Sequence, residues 1–465
     1  MSGSFSSFNT GLSALRYNQV AMDVAAGNIA NQATEGYARR RIEAGSVGAP
    51  PQLSMWSRYA GSGDGVAVNS ISRMVDPLLD ARARTEHSNQ AYLDRISSVL
   101  DRVESGIGEP GDAGVSAAMA KFGTGWQDLA NHPDQDAART QVLSRAAEVV
   151  AALRNQAGNI TEEASDQRFR LQVTVDEVNV IASDLAETNK SIATASLTGS
   201  DANVLLDQRD ALSLRLSELT GATAKIRSDG GVDVTVGGVS LVAGSTANRL
   251  EIASGVAADG SADGSPVTFR VSDGVTTIPV NGAVLGETGA VAELLNVTLP
   301  DYLASLDGVA KTFADEVNAQ HAAGFDAAGN PGQPLFSYDP ADAAASLTVA
   351  ITAPGGLAAS GLPGGGLDGS NAHELSEATA GLDAYKTLVS GFGARVASVH
   401  RLAANQQVLT AQVDGSREQL AGVNIDEEMI NMLSAQRAYE AASRVITTVD
   451  AVLDTLINRT GLVGR

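Results

Sequence analysis

Residue types that do chemistry are thinly spread along this chain. The five histidines are His87, His132, His321, His373 and His400. None stands at His-x-x-x-His spacing or in a cluster of metal-ligand character, so each reads as an ordinary surface or helix residue. His373-Glu374 begins like a metalloprotease motif, but position 377 is glutamate and the second histidine is missing. There is no cysteine, which removes disulfides, thiolate nucleophiles and zinc–thiolate sites. No Gly-x-Ser-x-Gly elbow occurs to support a hydrolase serine. Gly364, Gly366 and Gly369 satisfy the letter of G-x-G-x-x-G, yet they sit in a Gly/Pro-rich run without βαβ alternation and read as linker. Asp259, Ser261, Asp263 and Gly264 imitate the start of a calcium loop whose twelfth position is Arg270 in place of the bidentate glutamate, so a polar turn is expected. Asp426, Glu427 and Glu428 form a carboxylate run at the start of the last helix, where negative charge complements the helix dipole. No catalytic residue, cofactor site or metal site emerges, and the expectation is a protein that is not an enzyme.

What the spacing does support is a pair of seams. Near the C-terminus Ile425, Met432, Ala435, Tyr439, Ala442, Ile446, Val449, Leu453 and Leu456 recur at alternating steps of three and four. That narrow stripe is the pattern of a coiled coil, not of a packed globular helix. Near the N-terminus Phe5, Phe8, Leu12, Leu15, Met22, Ala26 and Ile29 follow the same alternation, interrupted by Gln19. A lone amphipathic helix cannot bury its own stripe, so the two ends of the chain are expected to pair.

Composition sets the outer bounds. At 465 residues there is room for about three domains. Hydrophobic content of 43% is ordinary, and the 4% aromatic content suits coiled helices and small-residue packing. The 54 acidic against 32 basic residues give a net charge of −22, which argues against nucleic acid and anionic membrane as partners. No stretch has the apolar length to cross a bilayer, and residues 1–8 lack the basic and apolar regions of a cleavable secretory signal. A cytoplasmic protein is expected, or one exported by a route needing no such signal.

Taken in order, the chain reads as mainly α with a β-rich insertion, elongated and multi-domain. A helix over residues 6–33 leads through the glycine turn of Thr34-Glu35-Gly36-Tyr37 to a Gly/Pro/Ser-rich extended arm reaching Gly65. Helices fill residues 78–220, with separate helices expected after Asp136 and around Leu171–Ile192. From there to 288 the period falls to two, as in Val232, Val234 and Val236. Helix returns at 290–323, a strand is expected at Leu347-Val349-Ile351, and 354–369 reads as a flexible Gly-rich connection. The implied domains are a terminal coiled-coil assembly domain (1–40 with 424–465) and a helical domain with extended arm (41–221, 290–330 and 371–423). A β-rich inserted domain (222–289) and a strand with its Gly-rich connection (331–370) complete the chain.

At these residues the chain resembles the axial (rod and hook) proteins of the bacterial flagellum. Gly11-Leu12, Asn28-Ile29-Ala30-Asn31 and Thr34-Glu35-Gly36-Tyr37 resemble the N-terminal signature shared by rod, hook and hook-associated subunits. Gly422-Val423-Asn424-Ile425-Asp426-Glu427-Glu428 with Gln436-Arg437-Ala438-Tyr439-Glu440-Ala441 resembles its C-terminal companion. Tyr37-Ala38-Arg39, the Phe122, Trp126, Pro133 and Arg139 segment, Leu205-Leu206-Asp207-Gln208-Arg209-Asp210 and Gln320-His321-Ala322-Ala323-Gly324-Phe325-Asp326 narrow the resemblance to the hook-associated, junction-forming branch. Glu35 departs from the family, where proline is common; it gives up a pre-set φ without forbidding the turn.

The resemblance implies export as an unfolded chain through the flagellar type III apparatus and assembly as a homo-oligomeric ring at the distal end of the hook. The hook protein and a second hook-associated junction protein are its implied neighbours. A cytoplasmic export chaperone covering the C-terminal helix is implied as well. Assembly-interface candidates are Leu12, Leu15, Met22, Ile29, Ile446, Val449, Leu453 and Leu456, with Asn28 and Asn31 of the signature. The alternatives left open are another axial subunit (hook or distal rod protein) and a cytoplasmic coiled-coil adaptor that is never secreted.

Overall fold

The computed structural model describes residues 2–47, 65–112, 114–364 and 366–458, with side chains from 7 to 455 within those spans. The outer part of the expected extended arm, the side chain of Phe5 and that of Leu456 lie outside the described residues. The chain opens on α1 (Ser2–Ala30), followed by the antiparallel hairpin β1 (Arg40–Val47) and β2 (Gly65–Arg73), which lies along α1. Helices α2 (Pro77–Ile107), α3 (Val115–Asn131), α4 (Asp136–Thr198) and α5 (Asn203–Thr220) come next. Local chemistry sets their limits. Asp76 accepts the amide N–H of Leu78 at 2.8 Å, Pro77 occupies the first turn, and Gly108 stops α2 in the left-handed region at φ 64°.

Helix α4 is one rod of 63 residues, about 95 Å long, where two helices were expected. Nothing inside it breaks a helix: Gly158 is its one interior glycine, and no proline occurs between Asp136 and Thr198. The β-rich insertion packs on its C-terminal half. Strands β3 (Thr223–Ile226), β4 (Val232–Val236), β5 (Val239–Ala243) and β6 (Thr246–Ala247) form one antiparallel sheet. A second holds β7 (Arg249–Ser254), β8 (Thr268–Ser272) and β9 (Thr277–Pro279). Val232, Val234 and Val236 all point inward, as period two requires. Two asparagines of α4 clip the sheets in place. Asn179 donates to the Leu250 carbonyl at 2.9 Å and accepts its N–H at 2.7 Å; Asn189 does the same for Val232 at 2.8 and 2.9 Å.

The chain re-enters the helical body through α6 (Gly286–Glu293), a π-helical turn at Leu294–Thr298 and α7 (Leu299–Ala323). The wide turn ends two residues before Pro300, which brings no N–H to the helical ladder. Short elements follow: β10 (Phe336–Ser337) paired with β11 (Thr348–Val349), α8 (Ala343–Ser346) between them, and α9 (Ser370–Ser376). The strand expected at 347–351 is thus the two-residue β11. Within the expected connection 354–369, the described residues fold back on the body and do not form a free connection. Leu357, Ala358 and Ala359 are fully buried, and the Arg139 guanidinium donates to the Leu357 and Pro133 carbonyls. Asp368 accepts from Ser360, Gly361 and Ser370. Glycine content predicted freedom; buried apolar residues and side-chain hydrogen bonds override it.

The core lies among α2, α3, α4, α7 and the start of α10 (Ala380–Ala421). Phe122, Trp126, Phe313 and Phe336 make edge-on and tilted contacts at centroid distances of 5.1–6.1 Å. The last helix, α11 (Ile425–Asn458), leaves this body after a short break and returns to α1.

His321 is a helix residue of α7, as its reading allowed, but not an ordinary one. It is fully buried beside Trp126, and its Nε2 accepts the N–H of Ala358 at 2.9 Å. Burial pushes its pKa down from 6.5 to about 4. The unfolded chain therefore binds a proton that the folded chain refuses as pH falls through that interval, and stability falls with it. We expect His321→Gln to be about 2 kcal/mol less sensitive than the native protein to a change from pH 7 to pH 4.5. Urea unfolding at the two pH values measures the difference, and equal losses in both proteins would show that His321 is not the responsible group.

Candidate assembly interface

The expected pairing of the chain ends is present: α1 and α11 run against each other along their length. Gly11 allows the close approach, since a Cβ there would stand 2.8 Å from Ile446 Cγ1. Leu12, Leu15, Met22 and Ile29 of α1 and Met432, Ile446, Val449 and Leu453 of α11 lie on the facing sides, all only half-buried. Among the described side chains of the two helices, the buried apolar ones are the alanines Ala25, Ala435 and Ala442. The pair is a seam with its large residues partly uncovered. Outside the seam, Ile430, Leu433, Val445 and Val452 of α11 are exposed, Ile430 at 67%.

Where the pair meets the body, polar chemistry takes over. Asn28 is 1% exposed and uses its whole amide: Nδ2 donates to the Arg40 carbonyl at 3.0 Å and to Glu428 Oε2 at 3.1 Å. Its Oδ1 accepts the Tyr37 hydroxyl at 2.8 Å and the Arg40 N–H at 3.0 Å. Glu428, 3% exposed, also takes Arg39 Nε at 2.8 Å, while Arg39 Nη1 reaches Glu427 at 3.0 Å. The Arg39 backbone bonds the Ala421 carbonyl at 2.8 Å and receives the Met74 N–H at 2.8 Å. One short segment thus fastens α1, α11, β2 and the end of α10. Asn31 works locally, donating to the Gly27 carbonyl at 2.9 Å and closing the end of α1.

A second layer ties the hairpin to α5. Arg73 forms ion pairs with Asp207 and Asp210, both at 2.7 Å, and Arg40 approaches Asp207 at 3.6 Å from above the Tyr37 ring. Burial raises the pKa of Asp207 against the pull of Arg73 and Arg40. Asn203 donates to the Ile71 carbonyl at 2.9 Å. Leu205-Leu206-Asp207-Gln208-Arg209-Asp210, conspicuous in the sequence, is therefore the body's half of the joint. Below it His87, also read as ordinary, links three helices: Nδ1 stands 3.3 Å from Glu218 of α5 and Nε2 3.0 Å from Asp414 of α10. The Glu218 hydrogen bond, with Asp414 behind it, holds the His87 pKa above 6.5 against burial. The clamp is complete below that pH and is lost as pH rises through the raised value.

Sequence reasoning missed Glu428 as a partner, because a carboxylate in a first helical turn already has an ordinary explanation in the dipole. The signal available was the facing pair of runs, Arg39-Arg40-Arg41 and Asp426-Glu427-Glu428, at opposite ends of the chain. Among the described residues no group of three or more acidic or histidine side chains could hold a metal.

These features now meet their relatives. A family model described as the helical domain of the flagellar hook-associated protein FlgK matches residues 100–336, just over half of the chain. The chain belongs to the flagellar hook-associated protein FlgK family. The two ends match further models, of flagellar basal body rod proteins at residues 8–37 and of the C-terminal region of the FlgEFG rod proteins at 419–459. Flagellar hook-associated protein 1 of Bacillus subtilis is 28% identical, with all of both chains covered. That of Escherichia coli is 24% identical over 97% of this chain and 99% of the relative. The flagellar hook junction protein FlgK from Burkholderia pseudomallei has the same fold, with a TM-score of 0.64 at 17% identity, covering 73% of this chain and 100% of that one. The two rod-protein matches cover 8–37 and 419–459, so Asn28 and Glu428 lie within the axial segments and Arg39 just beyond the first.

Removing Glu428 should separate ends from body. In Glu428→Ala, Asn28 and Arg39 stay partly buried with a partner missing, at a cost on the order of 3 kcal/mol local to the joint. Limited chymotrypsin digestion should then release both terminal segments faster than from the native chain, while the body fragment keeps its melting temperature. Unchanged release rates would show that the contact does not hold the joint.

Proposed function

We propose that this chain is a structural subunit of the bacterial flagellum, an adaptor joining hook to filament. The observation that carries the reading is the half-covered seam: two long helices from opposite ends of a family-matched chain pair, yet leave their large apolar residues partly in water. A two-helix rod of this kind gains its remaining burial only from flanking copies, and like copies added through one repeated contact build a ring or tube. The hook protein and a second hook-associated junction protein are the proposed neighbours. An unpaired α11 is an aggregation hazard before assembly, which suits a cytoplasmic chaperone that covers it during export through the flagellar type III apparatus. Export without a cleavable signal belongs to the same proposal. No helix among the described residues is long and apolar enough to cross a membrane. The relatives carry the name flagellar hook-associated protein 1.

The test is Val449→Asp with Leu453→Asp, which places two carboxylates on the seam. The variant should be secreted and its body folded, with the protein recovered from the medium and cells lacking attached filaments. Normal filament attachment would refute the role given to the seam.

A further inference from the structure

The sequence holds one Asn-Gly pair, Asn281-Gly282, in the connection between β9 and α6. An asparagine followed by glycine can react with its own backbone. The next residue's nitrogen attacks the side-chain amide carbon, and glycine has no Cβ to hinder the approach. Structure decides whether the groups are free to do so. Both residues are exposed and lie outside helix and strand. Neither the Asn281 side chain nor the Gly282 N–H makes a hydrogen bond. The other described asparagines outside regular structure are tied. Asn31 donates to the Gly27 carbonyl, Asn248 to the Ser240 carbonyl and Asn330 to Asp326, while Asn424 accepts the Asp426 N–H. Asn330 moreover precedes Pro331, whose nitrogen carries no proton to lose.

Two hydrogen bonds bracket the reactive span. The Val280 N–H reaches the Phe269 carbonyl at 2.9 Å, and the Leu285 N–H reaches the Thr220 carbonyl at the end of α5 at 3.1 Å. Between them Gly282 is held by packing: a Cβ on it would stand 2.3 Å from the Gly237 carbonyl oxygen, and one on Gly237 would stand 2.4 Å from Val280 Cγ1. The turn joining β4 to β5 therefore rests on this span. We propose that Asn281 is a site of spontaneous deamidation and isomerisation. The Gly282 nitrogen bonds to Asn281 Cγ, the Cγ–Nδ2 bond breaks, and the backbone amide proton leaves with Nδ2 as ammonia. Water then opens the cyclic imide at either carbonyl, leaving aspartate or isoaspartate. Both products add a carboxylate. The isoaspartyl form also routes the main chain through Cβ and Cγ, which lengthens a span fixed at both ends. Gly282 is then displaced from Gly237, and the first sheet of the insertion loses that support. This goes beyond the adaptor reading and stands without it.

Peptide mapping of the purified full-length protein, aged in mildly alkaline buffer that favours loss of the amide proton, tests the proposal. The peptide holding Asn281 should convert to its acid forms before any other asparagine. Ammonia loss marks the imide, and enzymatic methyl labelling marks isoaspartate. Asn281→Gln, whose longer side chain disfavours ring closure, should abolish the label. Contact with Gly237 restrains Gly282, so the urea-unfolded chain should convert faster than the native protein. Amide exchange across residues 237–243 should quicken in the aged native protein and stay unchanged in aged Asn281→Gln. An Asn281 that stays intact in the folded protein, or converts after other asparagines, would overturn the site. Conversion with unaltered exchange at 237–243 would overturn its effect on the insertion.

Discussion

The structure depends on a single buried carboxylate that two distant parts of the chain must share. Glu428 has its partners Asn28 and Arg39 about four hundred residues away in sequence, and neither oxygen has water to fall back on. A buried network of this kind holds firmly when every member is satisfied and fails when one is lost. Because Asn28 spends its whole amide on it, the end of α1, the start of α11 and the exit of the hairpin can only be arranged in one way. The apolar seam beyond needs no such specificity. It supplies a sticky stripe, and the polar joint decides where that stripe points.

Charge separates the two parts further. Residues 1–47 and 424–465 together hold eight basic and nine acidic residues, so almost the entire excess of acid belongs to the body. Nearly neutral ends can crowd together in an assembly at little electrostatic cost, while acidic bodies repel unless they meet through uncharged surface. Neutral ends that gather and acidic bodies that keep apart are a division of labour suited to a junction piece.

Much of this was legible in the residues. Alternation by three and four revealed most of both seams, although Ala26, Ile425 and Tyr439, counted on them, stand exposed, and period two revealed the valine strands of the insertion. The resemblance located the Asp207–Asp210 block, though not the arginine that meets it, because a contact between Arg73 and Asp207 leaves no trace in spacing. The failures share a cause. His321 and the 354–369 stretch were read by residue type, a lone histidine and a glycine run, and tertiary burial overrode type in both. Helix α4 was divided because two apolar clusters looked like two helices, when one uninterrupted rod serves the core and then the insertion. Glu428 was hidden by a sufficient local explanation.

The central claim is that the chain ends are fixed at the joint and unfinished beyond it until copies surround them. Amide hydrogen exchange of the isolated full-length chain, resolved by segment, tests it most directly. Protection should be high through α4 and at residues 28–40 and 424–430, and fall to near-unprotected rates toward the outer ends of α1 and α11. Uniform strong protection of α1 and α11 in the solitary molecule, equal to that of α4, would contradict the account.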